Sequence, residues 1–384
     1  MTTVAEQRIQ EVLSFFRNED TVLGYRKLMD CAMDTQNLDI YKKVIALTDW
    51  RTQHPNNQES FIKKAVLLLE DIAKIPIEPY DREQPVVVGK ALTKSYGSNR
   101  FELGPISTKI RKGEVYGLVG ENGNGKTTLL RILAKEIDYD DGELQFNFDT
   151  EYHNEFELRT NLVYIPQRTQ KWHGSLKDNL KFVLSSYGVS AEENETRVLM
   201  MIARFGLWEY KHLKWKELSS GYKMRFELAR TLLRQPELML LDEPLANLDV
   251  LAQQVILEDL KSICNSINNP IALILSSQQL YEVEKISDKV IYLKDGKYRD
   301  NKAVSRIEAP HVIIEIDCDL TRETLTRVFC DLKLEKLIYN GGIFVAYFHE
   351  STLFPSVLNA LAINKVNATY IRNITKSTRR FFVS

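Results

Sequence analysis

The sequence predicts an α/β chain in three parts: a helical bundle, a largely parallel sheet with helices on its faces, and a small α+β module. Three observations lead there. Apolar residues recur at helical spacing through the N-terminal stretch, short apolar runs alternate with helical stretches through the middle, and strand and helix patterns change order after about residue 310. The 384 residues exceed one typical domain and suit two or three.

In the first part, over residues 1–80, Ile9, Val12, Leu13 and Phe16 share one helical face. Tyr25, Leu28, Met29 and Ala32 repeat the pattern, then Ile40, Val44 and Leu47, then Phe61, Ala65, Leu68 and Ile72. Polar breaks at Asn18-Glu19-Asp20 and His54-Pro55-Asn56-Asn57 separate three or four helices. Pro76, Pro79 and Pro85 punctuate a linker that cannot continue a helix. The middle part, residues 86–308, opens with strand-like VVVGKAL and continues through YGLVG, NLVYIP, LMLLDE, IALILSS and KVIYLKDGK. Such runs between helical stretches predict a mainly parallel sheet. In the third part, residues 309–384, VIIEIDCD reads as a strand and TRETLTRVFCDLKL as a helix. EKLIYNGGIFVAYFH reads as a hairpin turning at Asn340-Gly341-Gly342, STLFPSVLNALAIN as a second helix and ATYIRNIT as a last strand. This βαββαβ order predicts a ferredoxin-like module.

Composition narrows the function classes. Fifty-one Lys and Arg against 52 Asp and Glu give a net charge of -1, which speaks against a dominant nucleic-acid footprint, and no nucleic-acid partner is expected. Cys31, Cys264, Cys318 and Cys330 have no CxxC or metal-ligand spacing and read as reduced structural thiols. No run approaches the roughly 18–20 apolar residues that span a bilayer, and the N-terminus lacks the blocks of a secretory signal. The expected location is the cytoplasm, and any path across a membrane must come from another chain.

The strongest chemical signal is Gly120-Glu121-Asn122-Gly123-Asn124-Gly125-Lys126-Thr127-Thr128, between the strand YGLVG and the helix TTLLRILAKEI. It satisfies GxxxxGK[ST] in the strand–loop–helix setting that the motif requires. Gly120, Gly123 and Gly125 let backbone N–H groups converge on phosphate oxygens, and the following helix adds its positive end. Lys126 would neutralise the outer phosphates and Thr127 would ligate magnesium. The second element is Leu238–Pro244, an apolar strand ending in Asp242 and Glu243. It carries both acids to the carboxyl end, where open α/β sheets bind ligands. Asp242 would hold magnesium through its water shell, and Glu243 would orient or deprotonate an attacking water.

These two motifs occur in many P-loop NTPases; the sequence between them is more selective. Leu218-Ser219-Ser220-Gly221-Tyr222 opens the helix KMRFELARTLLRQPEL and resembles the LSGGQ signature of ABC ATPases. Tyr96 in LTKSYG resembles the aromatic that stacks on adenine. Gln167 in VYIPQ is similar to the glutamine that reaches magnesium and the attacking water. Ala246–Asp249 resembles the segment that touches a partner cassette, and SDKVIYLKDGK the strand pair that closes the domain. The resemblance covers roughly residues 86 to 300 and implies a P-loop NTPase ABC cassette that binds ATP and Mg2+. It implies a head-to-tail dimer in which Ser219, Ser220 and Gly221 face the γ-phosphate held by the opposite protomer.

Two departures stand out. Ser220 and Tyr222 replace the usual glycine and glutamine, yet leave the Ser219 hydroxyl and the backbone amides in place. Gln278, after IALILSS, stands where the family usually has a histidine at the γ-phosphate. A carboxamide can donate to a phosphate oxygen but carries no proton that titrates near neutral pH. Either the replacement is tolerated, with Glu243 doing the chemistry, or it slows hydrolysis and prolongs the closed dimer.

The C-terminal module resembles the extension that follows the cassette in many export-type ATPase subunits. It ends in a basic run, residues 371–380, that is either a solvated face or a docking strip for a partner or anionic lipid. Trp172 and Leu176, in the stretch after Gln167, lie where family members receive a membrane subunit, although both could instead be core. The expectation is thus an ATP-hydrolysing subunit that drives separate membrane chains, with export as the direction, at the inner face of the cell membrane. The alternative is a non-transport ABC ATPase acting as a switch on nucleic acid or a protein assembly. Against that alternative, the chain has one cassette and no coiled-coil or zinc insertion between its motifs.

Overall fold

Four helices begin the chain, each started by a side chain that satisfies an otherwise orphaned amide. α1 (Val4–Arg17) opens with a reciprocal Thr3–Glu6 capping box, and α2 (Thr21–Asp34) is capped by Asp20. α3 (Leu38–Gln53) and α4 (Gln58–Ala73) are capped by Asn37 and Asn57. The computed structural model describes residues 3–81, 83–97, 101–278, 283, 285–299, 311–340 and 342–375. The predicted stripes become the buried faces: Ile9, Val12 and Phe16; Leu28, Met29 and Ala32; Ile40, Val44 and Leu47; and Phe61, Ala65, Leu68 and Ile72.

The central sheet has six strands: β3 (Val115–Val119), β5 (Leu162–Ile165), β6 (Leu238–Leu241), β7 (Ala272–Ser277), β8 (Lys289–Lys294) and β9 (Lys297–Arg299). Their spatial order is β5-β6-β7-β3-β8-β9, parallel throughout except for the closing β8–β9 pair. Both faces are buried, which explains unbroken apolar runs in place of alternation. Val115, Val119, Met239, Leu241, Leu273 and Leu275 enter one core; Tyr116, Leu118, Leu238, Leu240, Ala272 and Ile274 enter the other.

The run VVVGKAL forms β1 (Val87–Ser95), and it lies outside the parallel sheet. With β2 (Glu102–Ile110) and β4 (Asp141–Phe146) it makes an antiparallel sheet of order β2-β1-β4 that covers the second core. β2 and β4 carry polar residues on their open face and β2 contains Gly104-Pro105, so neither shows the solid apolar run that marks the central strands. Between the sheets lies α5 (Lys126–Leu133), which ends earlier than the sequence suggests because Lys135 adopts a left-handed conformation.

Further helices among the described residues of this part are α6 (Glu155–Asn161), α7 (Leu176–Ser186), α8 (Ala191–Arg204), α9 (Ser220–Leu232) and α10 (Val250–Cys264). The first core is continuous across the sheet face, α7 to α10 and all four N-terminal helices, so Leu28 and Phe61 belong to the same apolar cluster as Phe226 and Leu257. Leu176 is buried within that cluster, which removes it as a partner contact. Trp172 is partly buried: its indole N–H donates to Glu227 Oε1 at 2.6 Å and the Arg230 guanidinium stacks on its ring.

The last part contains β10 (His311–Cys318), α11 (Arg322–Val328), β11 (Leu334–Asn340), β12 (Ile343–His349), α12 (Phe354–Ile363) and β13 (Ala368–Asn373). All neighbours are antiparallel in the order β11-β12-β10-β13, the ferredoxin-like arrangement. Gly341 of the hairpin turn and residues 376–384, which include the end of the basic run, lie outside the described residues. Among the described residues no helix is long and apolar enough to cross a membrane. Cys31 and Cys264 are buried free thiols whose burial pushes their pKa up to about 12, which leaves them unreactive.

Because one core joins the N-terminal helices to the sheet, damage in the helices should spread. Leu28→Ala is expected to cost about 2–5 kcal/mol. Urea unfolding followed by circular dichroism and by tryptophan fluorescence should show one lowered midpoint for both probes. Separate transitions would contradict a shared core.

Candidate nucleotide site

β3 delivers the chain to the glycine loop and α5 carries it away, so residues 120–128 sit at the carboxyl end of the parallel sheet. Two glycines are required there by different constraints. Gly125 has φ +91°, and a Cβ there would lie 2.7 Å from both the Phe101 ring and Leu103. Gly120 lacks a positive φ, but a Cβ would meet the Leu293 carbonyl at 2.4 Å. Gly123 also has positive φ, with open space around it. Glu121 and Asn122 are exposed, Asn124 accepts from the Asp295 amide at 3.1 Å, and Thr128 is half-buried on α5.

Lys126 is 5% exposed. Its ammonium donates to the Gly120 carbonyl at 2.6 Å and the Glu121 carbonyl at 3.2 Å, and lies 3.8 Å from Glu243 Oε1. Burial pushes its pKa below the usual lysine value, while Glu243 and Asp242 oppose the shift. The result is a cation short of counter-charge, with its donors resting on backbone carbonyls.

Asp242 follows β6 and is buried. Its Oδ2 accepts from the Thr127 hydroxyl at 2.7 Å and the Tyr164 hydroxyl at 3.3 Å; its Oδ1 accepts from the Ser276 hydroxyl at 2.7 Å. Ser276 in turn accepts from the Glu243 amide at 2.9 Å, so one β7 hydroxyl fixes both acids. Burial, with the Asp242 carboxylate beside it, raises the Tyr164 pKa and keeps that phenol a proton donor. Glu243 holds a left-handed φ of 48°, a strained conformation for a residue other than glycine. That carboxylate accepts from Gln167 Nε2 at 2.9 Å and from Gln278 Nε2 at 2.8 Å to each oxygen.

The fold thus brings Lys126, Thr127, Gln167, Asp242, Glu243 and Gln278 together, although 152 positions separate the first from the last. Tyr96 is 42% exposed just beyond β1, its amide bonded to the carbonyl of Phe101, the residue that packs on Gly125. Ser219, Ser220 and Gly221 are absent from the hydrogen-bond network around Lys126 among the described residues. Ser219 instead caps α9 by accepting from the Tyr222 amide at 3.4 Å, and Ser220 donates to the Asn247 carbonyl at 3.1 Å. Tyr222 stacks on Tyr210, with ring centroids 4.0 Å apart.

Ser276, Tyr164 and Phe101 join the site without belonging to any of the motifs. Only Ser276 carried a legible signal, as the first of two buried serines that end an otherwise apolar strand.

A buried lysine under a glycine loop, facing an aspartate–hydroxyl pair and a clamped glutamate, is the apparatus of a nucleoside-triphosphate hydrolase. The sequence profile described as ABC transporter matches residues 103–246. An ABC transporter ATP-binding protein of Methanocaldococcus jannaschii is 32% identical over 218 residues, covering 56% of this chain and 76% of that protein. The phosphonates import ATP-binding protein PhnC of Treponema denticola is 28% identical over 221 residues, 54% of this chain and 86% of that protein. Among solved structures, cbiO1 of Clostridium perfringens, part of the ABC transporter complex cbiONQ, superposes with a TM-score of 0.52 at 24% identity, and the match covers 65% of this chain and 96% of that one. The chain belongs to the ABC transporter ATP-binding family and is an ATPase of that class.

Two substitutions probe the site. Lys126→Ala is expected to weaken ATP binding by about 2–5 kcal/mol, measured by calorimetry, since it removes a buried charge from beneath the glycine loop. An unchanged affinity would remove Lys126 from the cradle. Gln278→His would place an imidazole against Glu243, whose carboxylate favours the imidazolium, and turnover should acquire a pH dependence centred above about 6.5 that the native enzyme lacks. A native profile with the same inflection would contradict a neutral clamp, and an unchanged rate in the variant would remove the idea that Gln278 slows hydrolysis.

Proposed function

We propose that this ATPase is the energy-coupling subunit of a transporter, a cassette over residues 86–308 flanked by an N-terminal helical domain (1–80) and a C-terminal module (309–384). The observation that carries the reading is the convergence of Lys126, Asp242 and Glu243 at one strand edge. Tyr96 stacks on adenine, residues 120–128 wrap the phosphates, and Lys126 gains from the triphosphate the counter-charge that its burial leaves wanting. Thr127, Asp242 and Gln167 fit Mg2+: all are oxygen donors, and the Thr127–Asp242 contact already sets two of them side by side. Magnesium, once bound, supplies charge neutralisation at the phosphate oxygens. Glu243 takes the attacking water's proton, and Gln278 and Gln167 hold its carboxylate in line.

Ser219, Ser220 and Gly221, standing apart from their own cradle, serve the nucleotide of a second cassette. Closure of the pair then drives a separate integral-membrane subunit, which holds the chain at the inner face of the membrane. The ferredoxin-like extension supports export as the direction; the import role named for the phosphonates relative favours the opposite direction and is the second reading.

Glu243→Gln should lower turnover by about 10²–10⁴-fold while ATP binding persists. In the presence of ATP it should elute as a dimer on size exclusion. Native turnover and a monomer in that variant would remove both the base and the paired site. Purification from detergent-solubilised membranes should recover a polytopic membrane protein; exclusive recovery with ribosomes or DNA would favour a non-transport switch. Uptake of substrate into inverted vesicles, as against its loss from them, separates export from import.

A further inference from the structure

The N-terminal helices bridge two arms of the cassette. One arm is α8, which leads through two short 3-10 turns to the signature helix α9. The other is α10, which follows Asp242, Glu243 and the segment that Ser220 touches. α3 packs along α8, with Lys42 paired to Glu192 at 3.2 Å. α2 faces α10: Arg26 reaches Asp259 at 3.0 Å and Glu258 at 2.7 Å. The turn after α10 is pinned as well, because Asp34 accepts from the Ser266 hydroxyl at 2.6 Å and the Ile267 amide at 3.0 Å. Arg8 adds a bond to the Asn265 carbonyl at 2.7 Å.

The three elements meet at Arg204, the last residue of α8. Its guanidinium lies 2.6 Å from Asp30 of α2 and 2.7 Å from Asp259 of α10, and the side chain is 2% exposed. Burial works against this cation, but the two aspartates outweigh it and hold its pKa above the usual arginine value. A cavity of about 100 Å³ lies against the joint, lined in part by Met33, Tyr41, Met200, Phe205 and Leu233. The joint is therefore held by charge contacts beside incompletely filled space, so its geometry depends on those contacts more than on close packing.

We propose that the four N-terminal helices are an intramolecular brace that sets the signature helix relative to the two acids, and that Arg204 is the positioning residue at its joint. The consequence for turnover presupposes the role of Ser219 proposed above. ATP binding in the chain's own cradle depends on β3 and α5, which the brace does not engage through these contacts. Loosening the brace should then lower turnover and spare nucleotide affinity. A purely structural role would lower stability and leave the turnover of folded molecules alone.

The test uses the full chain carrying Arg26→Ala, which removes the α2 ion pairs to Glu258 and Asp259 of α10 while the Ser262–Asp30 bond remains and Asp259 keeps Arg204 as its partner. ATP affinity should stay within about twofold of native and kcat should fall roughly tenfold, as expected for a small misplacement of catalytic groups. Amide exchange in α8 and α10 should quicken, and Arg26→Lys should restore most of the rate. Lys43→Ala, which breaks a pair with Asp71 inside the bundle, should behave as native. A native kcat in folded Arg26→Ala overturns the brace, whether or not exchange quickens, and so does a fall in affinity that matches the fall in rate. Should Arg26→Ala not fold, Asp34→Asn is read by the same criteria. Ser219→Ala is measured alongside. A native kcat there sinks the signature role and the brace with it; a lowered kcat there with a native one in Arg26→Ala sinks the brace alone.

Discussion

A lysine ammonium buried beneath a glycine loop is costly unless something negative approaches it, and the site is organised around that demand. Asp242 and Glu243 stand near enough to oppose the loss of its proton, but Asp242 is already bonded to Thr127, Tyr164 and Ser276, and Glu243 to Gln167 and Gln278. Both carboxylates are thus held in place by neutral donors, and the cation rests on carbonyl oxygens. A polyanionic ligand in the loop would meet that cation with both carboxylates already held in place.

The parallel sheet is what makes the arrangement possible. β3, β6 and β7 are buried on both faces, so their register is fixed by two cores at once. Their carboxyl ends deliver Lys126, Asp242 and Ser276 to one edge within hydrogen-bonding reach of each other's partners. The same two-sided burial left these strands readable as solid apolar runs. β2 and β4, covered on one face alone, lacked that signature and were legible only once β1 was seen to pair with them.

The site was legible wherever chemistry restricts residue choice within a short window. Gly125 must have positive φ and no side chain against Phe101, and Lys126 must follow it; such demands write a motif. Tyr164 acts through a contact between strands distant in sequence, and no local pattern announces it; Ser276 shows only as one of the two serines that end an apolar run. For Trp172 and Leu176 the sequence left partner contact and core both open; Leu176 is buried, and the partly buried Trp172 bonds to Glu227. The N-terminal helices were foreseen as elements from their stripes, whereas their attachment was not. It rests on Arg26, Asp30, Asp34, Arg204 and Asp259, charged residues that sequence alone assigns to solvent.

The central claim is that the Lys126 ammonium meets the outer phosphates of ATP. An acyl-phosphate derivative of ATP carries a reactive carbonyl at that end of the nucleotide and acylates an amine held against it. Mass spectrometry of the labelled full chain should find acylation at Lys126, suppressed by added ATP. Labelling confined to other lysines, or labelling of Lys126 that excess ATP leaves unchanged, would contradict the account.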